Sequence, residues 1–281
     1  GGMTNYVKSF FSKVKAKEGK GLIQSYYKEF ANIPGTYEEH YQKGLELFAK
    51  DTPEGYIQAE EEFKKSLALK PDHTPAIVSL AESYLRGREL DKDPKMFSQA
   101  LSLAQEAVRL DPNLAQGHLV LAYLLRAQGK REDAKLSALK ALELKPDDLG
   151  ANYLLGGMLV EEDRAGEASK YLEKAATLKP DFIQVHLDLT SLYEKKEDYK
   201  SALPHWERLV ELKPDNGDFR CSLGKGYLKN ALNDKAIYSL NKCLELKPDE
   251  IQARVNLAKL LIDYKKEYKK AKEHLEALLS K

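Results

Sequence analysis

Residues 217–250 read GDFRCSLGKGYLKNALNDKAIYSLNKCLELKPDE. Leu223, Gly224 and Tyr227 recur at helical steps and share one face. Asn233-Asp234 then marks a turn. Ala236, Leu240 and Cys243 share the face of a second helix, and Pro248 stops it. Proline cannot continue a helix, and it pushes the residue before it toward extended geometry. The stretch is therefore helix, turn, helix, stop.

The same ending recurs along the chain. It appears as LALKP to Pro71, VRLDP to Pro112, LELKP to Pro146, TLKP to Pro180, and ELKP to Pro214 and Pro248. Successive spacings are 41, 34, 34, 34 and 34 residues. A fixed period of this kind replaces the reading of 281 residues as one compact core.

The units resemble the tetratricopeptide repeat (TPR), whose pattern is Trp-x2-Leu-Gly-x2-Tyr, then Ala-x3-Phe, then Pro. One unit has Arg220, Leu223, Gly224, Tyr227, Ala236, Leu240 and Pro248 at those places. Others have His186, Leu189, Thr190, Tyr193, Ala202, Trp206 and Pro214; Asn152, Leu155, Gly156, Leu159, Ala168, Leu172 and Pro180; and His118, Leu121, Ala122, Leu125, Ala134, Ala138 and Pro146. Tryptophan never occupies the first place. The resemblance implies an all-α, right-handed TPR superhelical solenoid. Seven repeats are expected at 37–73, 74–114, 115–148, 149–182, 183–216, 217–250 and 251–281, with extra helices ahead of them. Three are irregular: repeat one gains about three residues near Thr52–Gly55, repeat two about seven around Leu90–Met96, and repeat seven one before Tyr268. The second helix of repeat two is expected to start near Phe97.

Composition narrows the partners. Lys plus Arg is 45 against 44 Asp plus Glu, a net charge of +1, which gives no overall pull toward nucleic acid or acidic membranes. No apolar run approaches the roughly 20 residues of a membrane span, and no secretory leader is evident. Two cysteines, Cys221 and Cys243, form no metal spacing and are read as small buried apolar residues of a reducing compartment, with a disulfide between them as the alternative. The expected location is the cytoplasm. Gly1-Gly2 before Met3 reads as an expression remnant, and a leader cut away ahead of it would make the location periplasmic.

Residues 1–36 do not fit the repeat. Two amphipathic helices are expected, near 4–17 and 21–31, with six lysines against two glutamates over the segment. They are read as a cap on repeat one, as a segment docked in a groove, or as a membrane- or partner-binding arm. At the other end, no polar helix follows repeat seven, although repeat arrays need capping. Either Lys266, Lys269, Lys270, Lys272 and Glu273 give the last helix a polar outer face, or a second molecule covers it as a homo-oligomer.

In TPR arrays the inner wall is lined by positions two, five, six, nine, twelve and thirteen of each first helix. The resemblance therefore places Tyr41, Leu45, Phe48, Val78, Leu119, Val120, Tyr123, Tyr153, Leu154 and Val160 on an apolar N-terminal half. Gln184, Asp188, Glu194, Lys195, Lys225, Lys229, Gln252, Asn256, Lys259 and Asp263 fall on a polar C-terminal half. The first set suits an amphipathic helix or extended apolar peptide, and Lys225, Lys229 and Lys259 suit acidic residues of the same ligand. The carboxylate clamp used by TPR arrays that bind chaperone C-termini is missing from every window. An asparagine ladder is missing too, with only Asn256 in place.

No catalytic constellation is legible. His40, His73, His118, His186, His205 and His274 are scattered, and the shared repeat position of His118 and His186 marks packing rather than ligation. Gly156-Gly157 and Gly224-Lys225-Gly226 follow no strand, so they are not phosphate loops. Asp91-Lys92-Asp93 lacks the glycine and glutamate of a calcium loop. Pro204 falls inside a second helix and is expected to kink it. The expectation is a non-catalytic scaffold or adaptor with no cofactor and no metal. It would bind a peptide or helix of a protein partner, in the assembly of a bacterial complex. The alternative is the TPR portion of a longer enzyme or sensor.

Overall fold

The structure, a computed structural model, describes residues 17–30 and 32–279. Contacts divide the chain into two compact units, one ending at Met158 and one beginning at Leu159. Helix α1 covers 17–29, four residues earlier than the helix expected from 21, and the helix expected over 4–17 lies outside the described residues. Seven helix pairs follow: α2 (Tyr37–Phe48) and α3 (Pro53–Leu69), α4 (Thr74–Gly87) and α5 (Pro94–Leu110), α6 (Ala115–Ala127) and α7 (Arg131–Leu144), α8 (Leu149–Glu161) and α9 (Ala165–Leu178), α10 (Ile183–Lys195) and α11 (Tyr199–Leu212), α12 (Gly217–Lys229) and α13 (Asn233–Leu246), and α14 (Ile251–Leu260) and α15 (Tyr268–Leu279). No strand occurs among the described residues.

Within each unit, first helices pack on their own second helices and also on the next first helix: α2 on α4, α4 on α6, α12 on α14. Small residues make this close approach feasible. A Cβ on Gly44 would sit 2.4 Å from the Phe63 ring, and one on Gly226 would sit 2.5 Å from Trp206. Phe63, Ile77, Leu80, Leu103 and Leu124 are fully buried in the first unit, as are Leu172, Leu189, Leu209 and Leu240 in the second. Each such side chain contributes about 1.5–3 kcal/mol by leaving water.

The turn inside every repeat but the second uses one left-handed residue, and repeat two has Arg88 extended at that place (φ −127°). Asp51, Gly129, Asp163, Glu197 and Ala231 all have φ between 52° and 80° and recur at the fifteenth position of their repeats. Repeat seven carries Lys266 (φ 58°) one residue later, because its extra residue is absorbed by a π-helical turn, Leu261–Lys265. Repeat one absorbs its insertion as helix. Asp51 keeps its place, and α3 runs 17 residues where α7, α9, α11 and α13 run 14. The start signal is Thr52, whose hydroxyl accepts from the Gly55 amide, with Pro53 at the first helical position.

Repeat two departs from expectation at its second helix. α5 starts at Pro94, capped by Asp93, three residues before Phe97, so part of the insertion is helical here too. The loop that remains is tied back by Arg88, which donates two hydrogen bonds at 3.0 and 2.7 Å to the buried Glu60 carboxylate. α11 contains Pro204 and continues as helix to Leu212.

One feature corrects the sequence reading. Cys221 and Cys243 are not free thiols: they form a disulfide that joins α12 to α13, with Cα atoms 4.9 Å apart. Cys243 lies at 0% exposure on the core face of α13, opposite the first helix of its own repeat, which brings the two within bridging distance. Closing a loop with a separation of 22 residues restricts the unfolded chain and adds about 3 kcal/mol. Helix α1 has described contacts with α3, α4 and α5. Gly19 lies against Ser102 and Glu106 of α5. Ile23 and Tyr26 are buried, and the Lys64 ammonium sits 5.8 Å from the ring centroids of both Tyr26 and Tyr84.

Candidate partner-binding wall

The first helices that would form the wall are held in place by a repeated device. Position four of most repeats supplies a hydrogen-bond donor to the carbonyl of the proline that ended the preceding unit. His40 Nε2 meets Pro34 O at 3.0 Å, His118 Nε2 meets Pro112 O at 2.8 Å, and Asn152 Nδ2 meets Pro146 O at 3.1 Å. His186 Nε2 meets Pro180 O at 3.0 Å, Arg220 Nε meets Pro214 O at 3.2 Å, and Arg254 donates to Pro248 O. This is the place where the TPR pattern has tryptophan. A carbonyl next to a helix-stopping proline is an orphan acceptor, and a donor four residues into the next helix satisfies it.

In the first unit the wall is less apolar than the sequence reading expected. Tyr41, Leu45, Phe48, Tyr123 and Tyr153 are half-buried; Val160, which belongs to the second unit, is 41% exposed. Val78, Leu119, Val120 and Leu154 belong to the core, at 3%, 7%, 1% and 1% exposure. The reason is the stacking of first helices. Val78 Cγ2 would lie 3.5 Å from a Cβ on Gly117, and Leu119 Cδ2 would lie 3.0 Å from one on Gly150. Position five thus tucks under the next repeat. Tyr123 is anchored by donating to Gly150 O at 3.2 Å, and burial raises its phenol pKa.

A polar network that the sequence reading passed over crosses the same wall. Glu82 is nearly buried. It accepts from Arg86 Nε at 2.8 Å and from Gln116 Nε2 at 2.8 Å, and the Arg86 guanidinium lies 5.6 Å from the Phe48 ring centroid. Glu82, Arg86 and Gln116 occupy positions nine, thirteen and two. These are wall positions of the TPR pattern, so polar side chains share this half of the wall with the aromatic ones.

In the second unit the expected polar residues pair with one another. Gln184 donates to Asp188 at 2.8 Å, Lys195 to Asp163 at 2.6 Å, Lys225 to Glu194 at 3.1 Å and Gln252 to Asn256 at 3.0 Å. Lys229 is exposed and sits 5.2 Å from the Tyr199 ring centroid, a cation–π contact with a residue the sequence reading did not select. Lys259 is exposed at position nine of repeat seven, one repeat on from Lys225, and Asp263 is exposed beside it. Neither Lys229 nor Lys259 has a carboxylate partner among the described residues. On α14, α15 and the turn between them, the exposed lysines at 266, 269, 270 and 272 are accompanied by exposed Ile251, Val255, Tyr268 and Leu275. No helix among the described residues is long and apolar enough to cross a membrane.

Comparison with known proteins agrees with this geometry. A family model described as tetratricopeptide repeat matches residues 119–181, and one described as anaphase-promoting complex, cyclosome, subunit 3 matches residues 195–278. No curated protein sequence matches. PilF of Pseudomonas aeruginosa is similar in structure over 78% of this chain and 95% of its own, at 20% identity and a TM-score of 0.58. YrrB, described as a TPR protein with an unusual peptide-binding site, covers 68% of this chain and 95% of its own, at 20% identity and a TM-score of 0.52. A chain of the APC/C hetero-tetramer Cut9-Hcn1 covers 88% of this chain and 47% of its own, at 19% identity and a TM-score of 0.54. At these identities the likeness is one of fold. Repeat pattern, helix pairing, family models and structural neighbours coincide: the chain is a tetratricopeptide-repeat protein.

Proposed function

We propose that the protein is a non-catalytic adaptor that holds a segment of another polypeptide against its first helices. In the second unit that segment is acidic. One observation carries this reading: Lys229 and Lys259 stand exposed on the wall without carboxylate partners, while their neighbours pair internally. A charged group on a fold-supported wall attracts its complement and orients it. Lys229 over Tyr199 adds a flat aromatic face beside the charge, suited to an apolar side chain next to the acid. In the first unit the half-buried rings of Tyr41, Phe48, Tyr123 and Tyr153 supply apolar contact, and Lys225 is reached by exchanging its bond to Glu194. The peptide-binding site named for YrrB supports the same use of the fold.

Two finer points belong to the proposal. The Cys221–Cys243 disulfide supports an oxidising compartment over the cytoplasm. Exposed Ile251, Val255 and Leu275 support self-association through the last repeat, which a concentration-independent monomer mass in light scattering would contradict. A role in assembling a larger bacterial complex rests on the family resemblance.

A displayed-peptide selection tests the main reading. Wild type should enrich sequences with Asp or Glu beside an apolar residue. Lys229→Glu with Lys259→Glu should abolish the acidic preference, and Tyr123→Glu with Tyr153→Glu the apolar one, once circular dichroism shows both variants folded. Identical enrichment on all three would refute the proposed wall.

A further inference from the structure

Repeat five contains a chain of hydrogen bonds that its packing role does not require. His186 on α10 and His205 on α11 are both buried, and their Nδ1 atoms face each other at 3.1 Å. His186 Nε2 lies 3.0 Å from Pro180 O. His205 Nε2 lies 3.0 Å from Glu173 Oε1 on α9, and that oxygen also accepts from the Tyr193 hydroxyl at 2.7 Å.

The ends of the chain dictate the protons. A carbonyl only accepts, so His186 Nε2 carries hydrogen. A carboxylate only accepts, so His205 Nε2 carries hydrogen too. If both rings were neutral, the two Nδ1 atoms would then present bare lone pairs to each other across 3.1 Å. If both were doubly protonated, two N–H groups and two positive charges would face. A single proton between the rings satisfies every atom. It makes one ring an imidazolium, compensated by the Glu173 carboxylate.

The surroundings agree. From α9 comes Glu173: burial works to raise its carboxyl, and hydrogen bonds from His205 and Tyr193 outweigh that and hold it below the ordinary range. The extra proton therefore sits on the imidazole pair. From α10 comes His186, whose imidazole burial holds low, with the His205 and Arg208 charges adding to the effect against the Pro180 carbonyl and Glu173; it resists a second proton. Tyr193 stacks on His205 with centroids 6.0 Å apart. From α11 comes Arg208, whose Nε also donates to Pro180 O at 2.9 Å while its other end reaches Glu211. Asp198 caps α11 through the Ser201 amide. α12, packed on α11, contributes Leu223, Phe219 and Tyr227, and the Tyr227 hydroxyl donates to Glu207 instead.

The geometry points to a one-proton latch: His186, His205 and Glu173 hold a single shared proton that ties α10 and α11 to α9, and the latch loosens when the proton leaves or a second arrives. The other repeats show that this is specific to repeat five. Asn152 makes the same bond to its proline without a titratable ring, and His118 makes it with no second ring facing it among the described residues. Since α10 carries the wall residues Asp188 and Glu194, proton occupancy governs the seating of that part of the wall. The inference does not depend on what the wall binds.

The test is imidazole ¹⁵N NMR of the full chain across pH, with peaks assigned by their loss in His186→Asn and His205→Gln. The pair should take up its two protons in two separate steps and hold a single proton between them. Both rings titrating together in one step would overturn the latch. A second readout uses stability. Down to about pH 5, above the range in which the carboxylates of the first unit titrate, wild type should lose about 3 °C from its highest Tm at intermediate pH as His186 is forced to charge. His186→Asn keeps the bond to Pro180 and should flatten that loss to under about 1 °C. An unchanged acid limb in His186→Asn would also count against the latch.

Discussion

In the unit that ends at Met158, buried carboxylates are answered by bases. Glu60 is gripped by Arg88, Glu106 by Arg109 through two bonds of 2.7 Å, and Glu62 by His40, Lys43 and Lys65 at 2.7–3.1 Å. In the unit that begins at Leu159, those places are taken by apolar packing around Trp206 and Leu240, by a disulfide, and by the histidine pair of repeat five. The difference follows the repeat lengths. Irregular repeats one and two bring extra chain, which charged hydrogen bonds pin down. The later repeats need no such anchors and leave Lys229 and Lys259 free on their wall. The first unit should therefore be the one that acid weakens most below the unfolded pKa of its carboxylates, and the second the one that reduction and titration of its histidine pair weaken.

Breaking the core of either unit should have the largest effect. Phe63→Ala removes a ring at 0% exposure that packs against Gly44, and should cost about 3–5 kcal/mol, with hydrogen exchange quickening in α2 and α3. The charge and disulfide differences come next. The Glu62 carboxyl is lowered to about 2: burial opposes ionisation, and bonds from His40, Lys43 and Lys65 outweigh it. A lowered carboxylate stabilises above its unfolded value of 4.5 and loses that contribution as pH falls toward 2. The loss should be about 3 kcal/mol in the first unit, read from α3 amide exchange, and Glu62→Gln should abolish its pH dependence. In the second unit, reduction or the paired change Cys221→Ala with Cys243→Ala should cost about 3 kcal/mol in denaturant unfolding, with α12 and α13 exchanging faster.

Smaller changes sharpen the contrast. Tyr123→Phe deletes the bond to Gly150 O in the first unit and should cost about 1 kcal/mol. Ala231→Gly in the second should stabilise by about 0.5–1 kcal/mol, because alanine holds φ at 56° where repeat three uses Gly129. A thermal melt that drops for Ala231→Gly would mean that the turn is not strained.

The helix pairs were legible because proline stops and small-residue positions act locally, and a 34-residue period repeats them. What was not legible depends on contacts between elements. The sequence marked extra residues near Thr52 and before Tyr268, yet a longer α3 and a π turn are two different ways to absorb them, and neighbouring helices decide which. Cys221 and Cys243 share no local motif; their pairing emerges only when α12 lies against α13. Val78 and Leu119 sit at wall positions, and only the stacking of the next first helix shows them to be core. The first place of the pattern never holds tryptophan, and only the contacts show why: His118, Asn152, His186 and Arg220 donate from it to the preceding proline's carbonyl.

The central claim is that the first helices form the binding surface. Hydrogen exchange of the whole protein, with and without an acidic peptide taken from the selection, tests it directly. Slowed exchange in α12 and α14, centred on Lys229 and Lys259, is the predicted result. Slowed exchange confined to the second helices α13 and α15, with α12 and α14 unchanged, would contradict it.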